Sequence, residues 1–443
     1  MDIAWWLRRC GWTAAGVVLA TAWASADDWP QWRGPARNGV SAEASGWPHG
    51  WPPERLWSAN VGWGCTSPIM ADGRLYVMGW SGSARRRPRG NPKGTDTVLC
   101  LDAATGKQLW KQSYPASYQG RHRTGDTNAY GGPSATPTLD TQTGLLYTLG
   151  VDGALRCWDT ARNGRPVWRR NLYDEYRAPQ RPNVGGGRRD YGYTSSPLVH
   201  GETIIVEVGA PSGTLRAFDR KTGKPRWRSK HQGPAGHTCG PVPMKVGGID
   251  CVAVLTLTEL LVVRVDAGHQ GETFATRKYA TDYACNLATP AVEGDRVAIT
   301  SGYNHKRTTL LEAGAGRMRT GWTARDYALL SSPVIHAGRL YMVDAAVKCL
   351  DMATGKLMWR GGAFAHGSCI VTADHRLIVF GKGRLALLEA GATTGAYREL
   401  ARLDKAVGGI CYPHVALSDG VIACKDRDGR LACFGVGVRG GGR

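Results

Sequence analysis

Tyrosine, histidine and cysteine recur just ahead of a set of short, mostly Pro-led segments. Tyr193, His237 and His366 each stand four residues before a strand-opening position, namely Pro197, Pro241 and Ile370, and Trp63, Cys65, Cys239, Cys285, Cys369, Cys411 and His414 lie near such positions. The pairs His237-x-Cys239, His366-x-x-Cys369 and Cys411-x-x-His414 carry the thiolate and imidazole donors that zinc and copper favour. Residues alternate faces along a strand, however, so the two members of a pair need not converge. Packing and cavity-lining hydrogen bonds are the expected roles, with Trp63, Tyr193, His237 and His366 as ligand-contact candidates. No metal site is predicted; Cys65, Cys369 and Cys411 are where one would have to form. No Cys-x-x-Cys-His is present, which excludes covalent c-type haem.

A second set is basic. Arg85, Arg86, Arg87 and Arg89 fall in the segment 81–96, Arg121 and Arg123 in 113–132, and Arg188 and Arg189 in 171–193, interleaved with Tyr176 and Tyr191. Arginine offers paired donors to carboxylate, sulfate or phosphate, and tyrosine can stack on a ring face. The plainer reading of such Gly- and Pro-rich stretches is a solvated rim.

The elements that must position these residues come from repetition. Cys100 to Trp110 (CLDAATGKQLW), Ala217 to Trp227 (AFDRKTGKPRW) and Cys349 to Trp359 (CLDMATGKLMW) are copies of one phrase, and Cys157 to Trp168 is a looser copy with one insertion. The Asp can accept backbone N–H bonds in a reversal, Gly supplies its positive φ, and the Trp on the far side can cover the seam to a neighbouring unit. Echoes at Asp266…Phe274, Glu312…Trp322 and Glu389…Tyr397 keep the acid and an aromatic.

With Trp57 at the front there are eight closing aromatics. From Trp322 through Trp359 to Tyr397 they are spaced by 37 and 38 residues, room for four short strands and their turns. Trp57 looks like a last strand with no earlier strands before it, while 421–424 and 430–434 look like middle strands with no last strand after them. The two halves fit. The expected fold is an all-β, eight-bladed propeller of four-stranded antiparallel blades, its N-terminal strand completing the C-terminal blade and hiding the open edges. Ser67-Pro68, Thr136-Pro137, Ser196-Pro197, Gly240-Pro241, Thr289-Pro290, Ser332-Pro333 and Tyr412-Pro413 open seven of the blades, and Cys369-Ile370 opens the remaining one.

The phrase resembles the tryptophan-docking motif A-x-D-x-x-T-G-K-x-x-W of the pyrroloquinoline quinone (PQQ) type β-propellers, which Ala217, Asp219, Thr222, Gly223, Lys224 and Trp227 match at every fixed position. The resemblance implies that loops leading into the first strand of each blade and loops joining second to third strand share one face, so all three basic insertions belong to it. Quinoprotein dehydrogenases of this family use an adjacent Cys-Cys pair and channel acids for calcium and base chemistry. This chain has no Cys-Cys, and its strand-opening segments are almost free of Asp and Glu. The chain is therefore expected not to use PQQ, and no cofactor or catalytic residue is predicted. It looks like the non-catalytic exported branch that includes BamB-type outer-membrane assembly factors, on the strength of Asp28-Trp29-Pro30-Gln31-Trp32-Arg33-Gly34-Pro35 as well.

The ends and the composition complete the expectation. Arg8-Arg9, an apolar run from Gly11 to Trp23 and Ala24-Ser25-Ala26 read as a secretory signal peptide cleaved after Ala26. The predicted organisation is signal peptide 1–26, N-terminal extension 27–53, propeller 54–436 and tail 437–443. No later stretch is long and apolar enough to span a membrane. Cys100, Cys157, Cys349 and Cys433 occupy the slot that Ala217 fills and read as small buried residues rather than disulfide partners. The formal charge of +20 favours an anionic partner, although a surplus of Arg over Lys marks part of it as compositional. The function expected is a monomeric periplasmic or secreted scaffold that binds an envelope protein or an anionic polymer or surface, with no nucleic acid. The alternative is a quinoprotein-like or metal-dependent enzyme with its site at the channel mouth.

Overall fold

The computed structural model describes residues 28–82, 93–117, 132–178, 191–211, 213–391, 393 and 395–437. These residues form eight four-stranded antiparallel sheets arranged as the blades of a propeller. The ring closes as the sequence indicates: β1 (Glu54–Asn60) pairs with the final strand, Arg430–Gly435, placing Trp57 opposite Cys433. Blade one is β2 (Ile69–Ala71), β3 (Arg74–Gly82), β4 (Lys93–Asp102) and β5 (Gln108–Ser117), and each later blade repeats that order from axis to rim. The Pro of each Pro-led opening lies just ahead of its first strand, as Pro68 does before Ile69, where no ladder donor is lost.

The rim seam follows from the repeated phrase. In blade three Asp219 accepts N–H bonds from Lys221 and Thr222 (3.1 and 2.8 Å) and the Thr222 hydroxyl (2.8 Å), and Gly223 takes φ +70°. The Trp then docks onto the next blade. Trp168 lies over Gly223 and donates its indole N–H to the Arg220 carbonyl (3.1 Å), as Trp57 does to Ala103 (2.8 Å) over Gly106 and Trp322 to Met352 (3.0 Å) over Gly355. A Cβ at Gly223 would come within 2.7 Å of the Trp168 ring, so this glycine is required for the approach as well as for the turn.

Strand register corrects two of the eight closing aromatics. All eight outermost strand pairs carry a β-bulge, and the docking Trp is the residue after it, paired with the small residue of the phrase: Cys100 with Trp110, Cys157 with Trp168, Ala217 with Trp227, Cys349 with Trp359. In blade four that place belongs to Ala275, with Phe274 at the bulge, and in blade seven to Ala401. Tyr397 precedes its strand and packs back on Trp359 of blade six with ring centroids 5.9 Å apart. Aromatic spacing alone could not reveal this, because a bulge shifts the pairing by one residue.

A second seam runs around the axis. The hydroxyl just before the opening Pro accepts an N–H from the preceding blade: Ser67 to Thr136 (3.0 Å), Thr136 to Ser196 (2.9 Å), Cys239 to Thr289 (2.9 Å), Thr289 to Ser332 (3.0 Å) and His414 to Ser67 (2.8 Å). Gly240 and the Cys369-Ile370 step supply no such hydroxyl, and Tyr412 stands in place of Ser or Thr before Pro413, so the Ser/Thr relay is interrupted at the entrances to blades four, seven and eight. All eleven cysteines among the described residues are free.

Candidate functional site

The N-terminal extension crosses the axis and closes one end of it. Trp29 exchanges two backbone bonds with Met70 (2.7 and 2.9 Å), Pro30 accepts from Leu139 (2.8 Å), and Gly39 accepts from Val371 (2.9 Å), which in turn accepts from Ser41 (2.8 Å). Ser45 then anchors on Asp374 through its N–H (2.9 Å) and hydroxyl (2.7 Å). The segment thus touches the first strands or first turns of blades one, two and seven.

Two arginines of this plug are fully buried at the axis. Arg37 donates to the carbonyls of Pro241 (2.8 Å), Pro197 (2.6 Å) and Ser196 (3.1 Å) and to Oε1 of Gln31 (3.1 Å). Arg33 donates to the carbonyls of Asn38 (2.8 Å) and Pro333. Burial lowers both guanidinium groups, Arg33 to about 10 and Arg37 to about 9, which leaves them charged at neutral pH. Arg37 spans blades three and four, where Gly240 interrupts the hydroxyl relay. Arg33 bonds blade six and lies near Cys369 of blade seven, a second interruption. Arg37, from outside the repeat, thus bridges one junction at which the repeat itself supplies no hydroxyl.

Beyond the plug the axis holds a cavity of about 120 Å³, open at one side, to which every blade contributes. Its walls are mainly Leu287, Leu330, Tyr191 and Tyr412, with His237, His366 and His414, the thiols of Cys65 and Cys239, and serine and threonine hydroxyls. Trp32 of the plug packs on His414 at 5.3 Å between centroids. Burial, and secondarily the charge of Arg33, hold the His414 imidazole neutral, its pKa lowered to about 3. Burial raises the thiols of Cys239 and Cys369 to about 12 and that of Cys411 to about 11, so all three stay protonated.

Two of the three predicted pairs separate, as alternation implies for residues three apart. His237 and Cys239 both face the cavity; the Tyr191 N–H donates to His237 Nε2 (3.4 Å). His366 faces it while Cys369 is buried in a first strand, and His414 faces it while the Cys411 sulfur turns away to accept from the Gly383 N–H (3.2 Å). Cys65 is at the wall. Tyr193 is not: its hydroxyl donates to the Val208 carbonyl (2.9 Å) and its ring packs on Tyr173, and Tyr191 takes the cavity position. Trp63 bridges to Trp80, ring to ring at 6.2 Å, away from the cavity. Among the described residues no three His, Cys, Asp or Glu side chains are grouped to hold a metal ion. Arg85, Arg86, Arg87, Arg89, Arg121, Arg123, Arg188 and Arg189 lie outside the described residues, as does the segment read as a signal peptide.

Sequence reasoning noted the segment from Asp28 to Pro35 but missed the plug. Arg33 and Arg37, flanked by Gly34, Gly39 and tryptophans, were the available signal, hidden by a chain rich in arginine. It also valued the Ser/Thr-Pro steps for their proline and missed the hydroxyl relay.

The fold and its seams define a tryptophan-docked, eight-bladed propeller of the PQQ-like repeat class. The chain belongs to the family whose model is described as outer membrane protein assembly factor BamB, matched over residues 46–130 and 94–361. It is 25% identical over 419 residues to the outer membrane protein assembly factor BamB of Xanthomonas campestris, covering 86% of this chain and 85% of that one. It is 28% identical over 170 residues to the quinate/shikimate dehydrogenase (quinone) of Acinetobacter baylyi, covering 31% of this chain but 20% of the enzyme. The solved structure of BamB from Moraxella catarrhalis matches with a TM-score of 0.55 at 14% identity, over 86% of this chain and 99% of that one, a likeness of fold. The described residues at the axis do not fit calcium-bound PQQ, since among them the cavity walls carry no carboxylate and the sequence has no adjacent cysteine pair.

Proposed function

We propose that this protein is an exported, non-catalytic scaffold of the cell envelope that binds a protein or an anionic surface through the face bearing its basic insertions. The observation that carries the reading is the axis. The place where a propeller of this class would hold its chemistry is filled from one end by the chain's own Trp29–Ser41 segment, and the described side chains that line the cavity beyond include no acid for cation binding or general base work. Likeness to BamB along most of both chains supports the assembly reading, whereas the likeness to the dehydrogenase spans a fifth of that enzyme.

The test is capture of partners from envelope extract with the chain from residue 27 as bait, beside a variant with Arg85, Arg86, Arg87 and Arg89 replaced by Ser. A control replaces Arg165, Arg277, Arg317 and Arg325, which are exposed and outside the ion pairs of the structure. A specific partner lost in the first variant and kept in the control is the expected result. Equal loss in both makes net charge the sole determinant. Measurable dye-linked alcohol or sugar oxidation with stoichiometric PQQ and calcium overturns the non-catalytic reading.

A further inference from the structure

We propose that the axial cavity is a binding site for a small organic carboxylate with an apolar body. This inference is independent of the scaffold reading, because it concerns the axis and not the basic loops.

The sign of the ligand follows from the plug. Arg33 and Arg37 are buried beside the cavity, and their hydrogen-bond acceptors are backbone carbonyls and one side-chain amide, with no carboxylate among them. Nε and Nη1 of Arg33 have no acceptor at all. Two desolvated cations without a counter-charge are costly, and an anion in the adjoining cavity offsets part of that cost while the low-dielectric walls leave the attraction weakly screened. Arg33 is adjacent in sequence to Trp32, which packs on the cavity residue His414, so the charge lies just behind the wall.

The contacts follow from three unpartnered polar atoms. Ser331 is 4% and His414 7% exposed, yet Ser331 Oγ and His414 Nδ1 have no hydrogen-bond partner, and neither does His366 Nδ1 on the same wall. Buried polar groups are normally satisfied, so a set of orphans around one cavity marks the place of a missing partner. A hydroxyl and two imidazole rings can each donate one hydrogen bond, which suits the two oxygens of a carboxylate. The remaining wall of Leu287, Leu330, Tyr191 and Tyr412 calls for an apolar or aromatic body, and a cavity of about 120 Å³ suits one on the scale of a single ring. A cation is disfavoured by the same field. The carboxylate could belong to a free acid or to the C-terminal residue of a peptide.

Calorimetric titration of the chain from residue 27 with benzoate and with its neutral isostere benzamide tests the charge requirement. A tripeptide Gly-Gly-Phe, with free and with amidated C-terminus, tests the source. Benzoate is expected to bind at least tenfold more tightly than benzamide, and Ser331→Ala and His366→Phe each to weaken it several-fold without changing the melting temperature in the absence of ligand. Arg33→Gln, assayed only if it melts as a folded protein, should erase the preference for benzoate. Binding of the free but not the amidated tripeptide assigns a peptide terminus, and binding of benzoate alone assigns a free acid. Equal binding of benzoate and benzamide overturns the proposal, as does affinity unaltered in Ser331→Ala and His366→Phe, or no binding of any probe at millimolar concentration.

Discussion

The rim and the axis of this ring solve the same problem by different means. At the rim, each of six tryptophans is placed by its own blade's register, and where the next blade keeps the turn the indole reaches a carbonyl there, as from Trp57, Trp168 and Trp322. The contacts are repeated and mutually independent, with Trp110 and Trp359 buried and the other four tryptophans partly so. At the axis a repeated hydroxyl relay does part of the work, but a single non-repeating segment also inserts Arg37, across a junction that lacks the hydroxyl, and Arg33. Repetition spreads the consequences of a loss, whereas a lone buried charge concentrates them.

That contrast can be broken most severely by deleting residues 28–53 while retaining β1. The rim stays intact, yet the axial end opens and the carbonyls it satisfied are left buried; the expected outcome is a melting temperature lower by more than about 10 °C or a chain that aggregates. A deletion variant melting with the full chain would make the plug an ornament.

Arg37→Ala is the point version of the same test. It removes donors to three buried carbonyls at once, with an expected loss of roughly 3–5 kcal/mol in denaturant unfolding. A loss below about 1 kcal/mol would put the axis on the same footing as the rim.

Within the rim, Trp168→Ala and Trp227→Ala should differ. Trp168 has a Gly223 to lie on and a carbonyl to bond, and its loss is expected to cost about 2–4 kcal/mol. Trp227 faces a blade whose Thr-Gly-Lys turn is missing, and about 1–2 kcal/mol is expected. Identical losses from equilibrium unfolding would mean that the turn contributes nothing to docking.

The smallest effect concerns His414. Its folded-state pKa of about 3 lies below the unfolded value near 6.5, so the unfolded chain binds the extra proton between those limits and stability falls as pH drops through that window. The His414 contribution to the slope is at most roughly 1.4 kcal/mol per pH unit, and His414→Gln should remove it, giving a shallower stability profile between pH 6 and 4. Parallel profiles for the two proteins would place the acid sensitivity elsewhere.

By itself the sequence determined the number of blades, the closure through Trp57, the turn chemistry of Asp219 and Gly223, and the small Cys or Ala slot opposite five of the six docking tryptophans. These are local, repeated features, and each copy is a further reading of the same physical requirement. Ala275 and Ala401 escaped it because a bulge displaces pairing by one residue while leaving aromatic spacing plausible. Convergence was the larger gap. That Ser331, His366 and His414 meet around one cavity, that Tyr193 yields its place there to Tyr191, and that Arg33 and Arg37 lie beneath it are facts about residues up to several hundred positions apart. Only ring closure brings them together, because the axis is built from one short piece of every blade and from a segment that belongs to none of them.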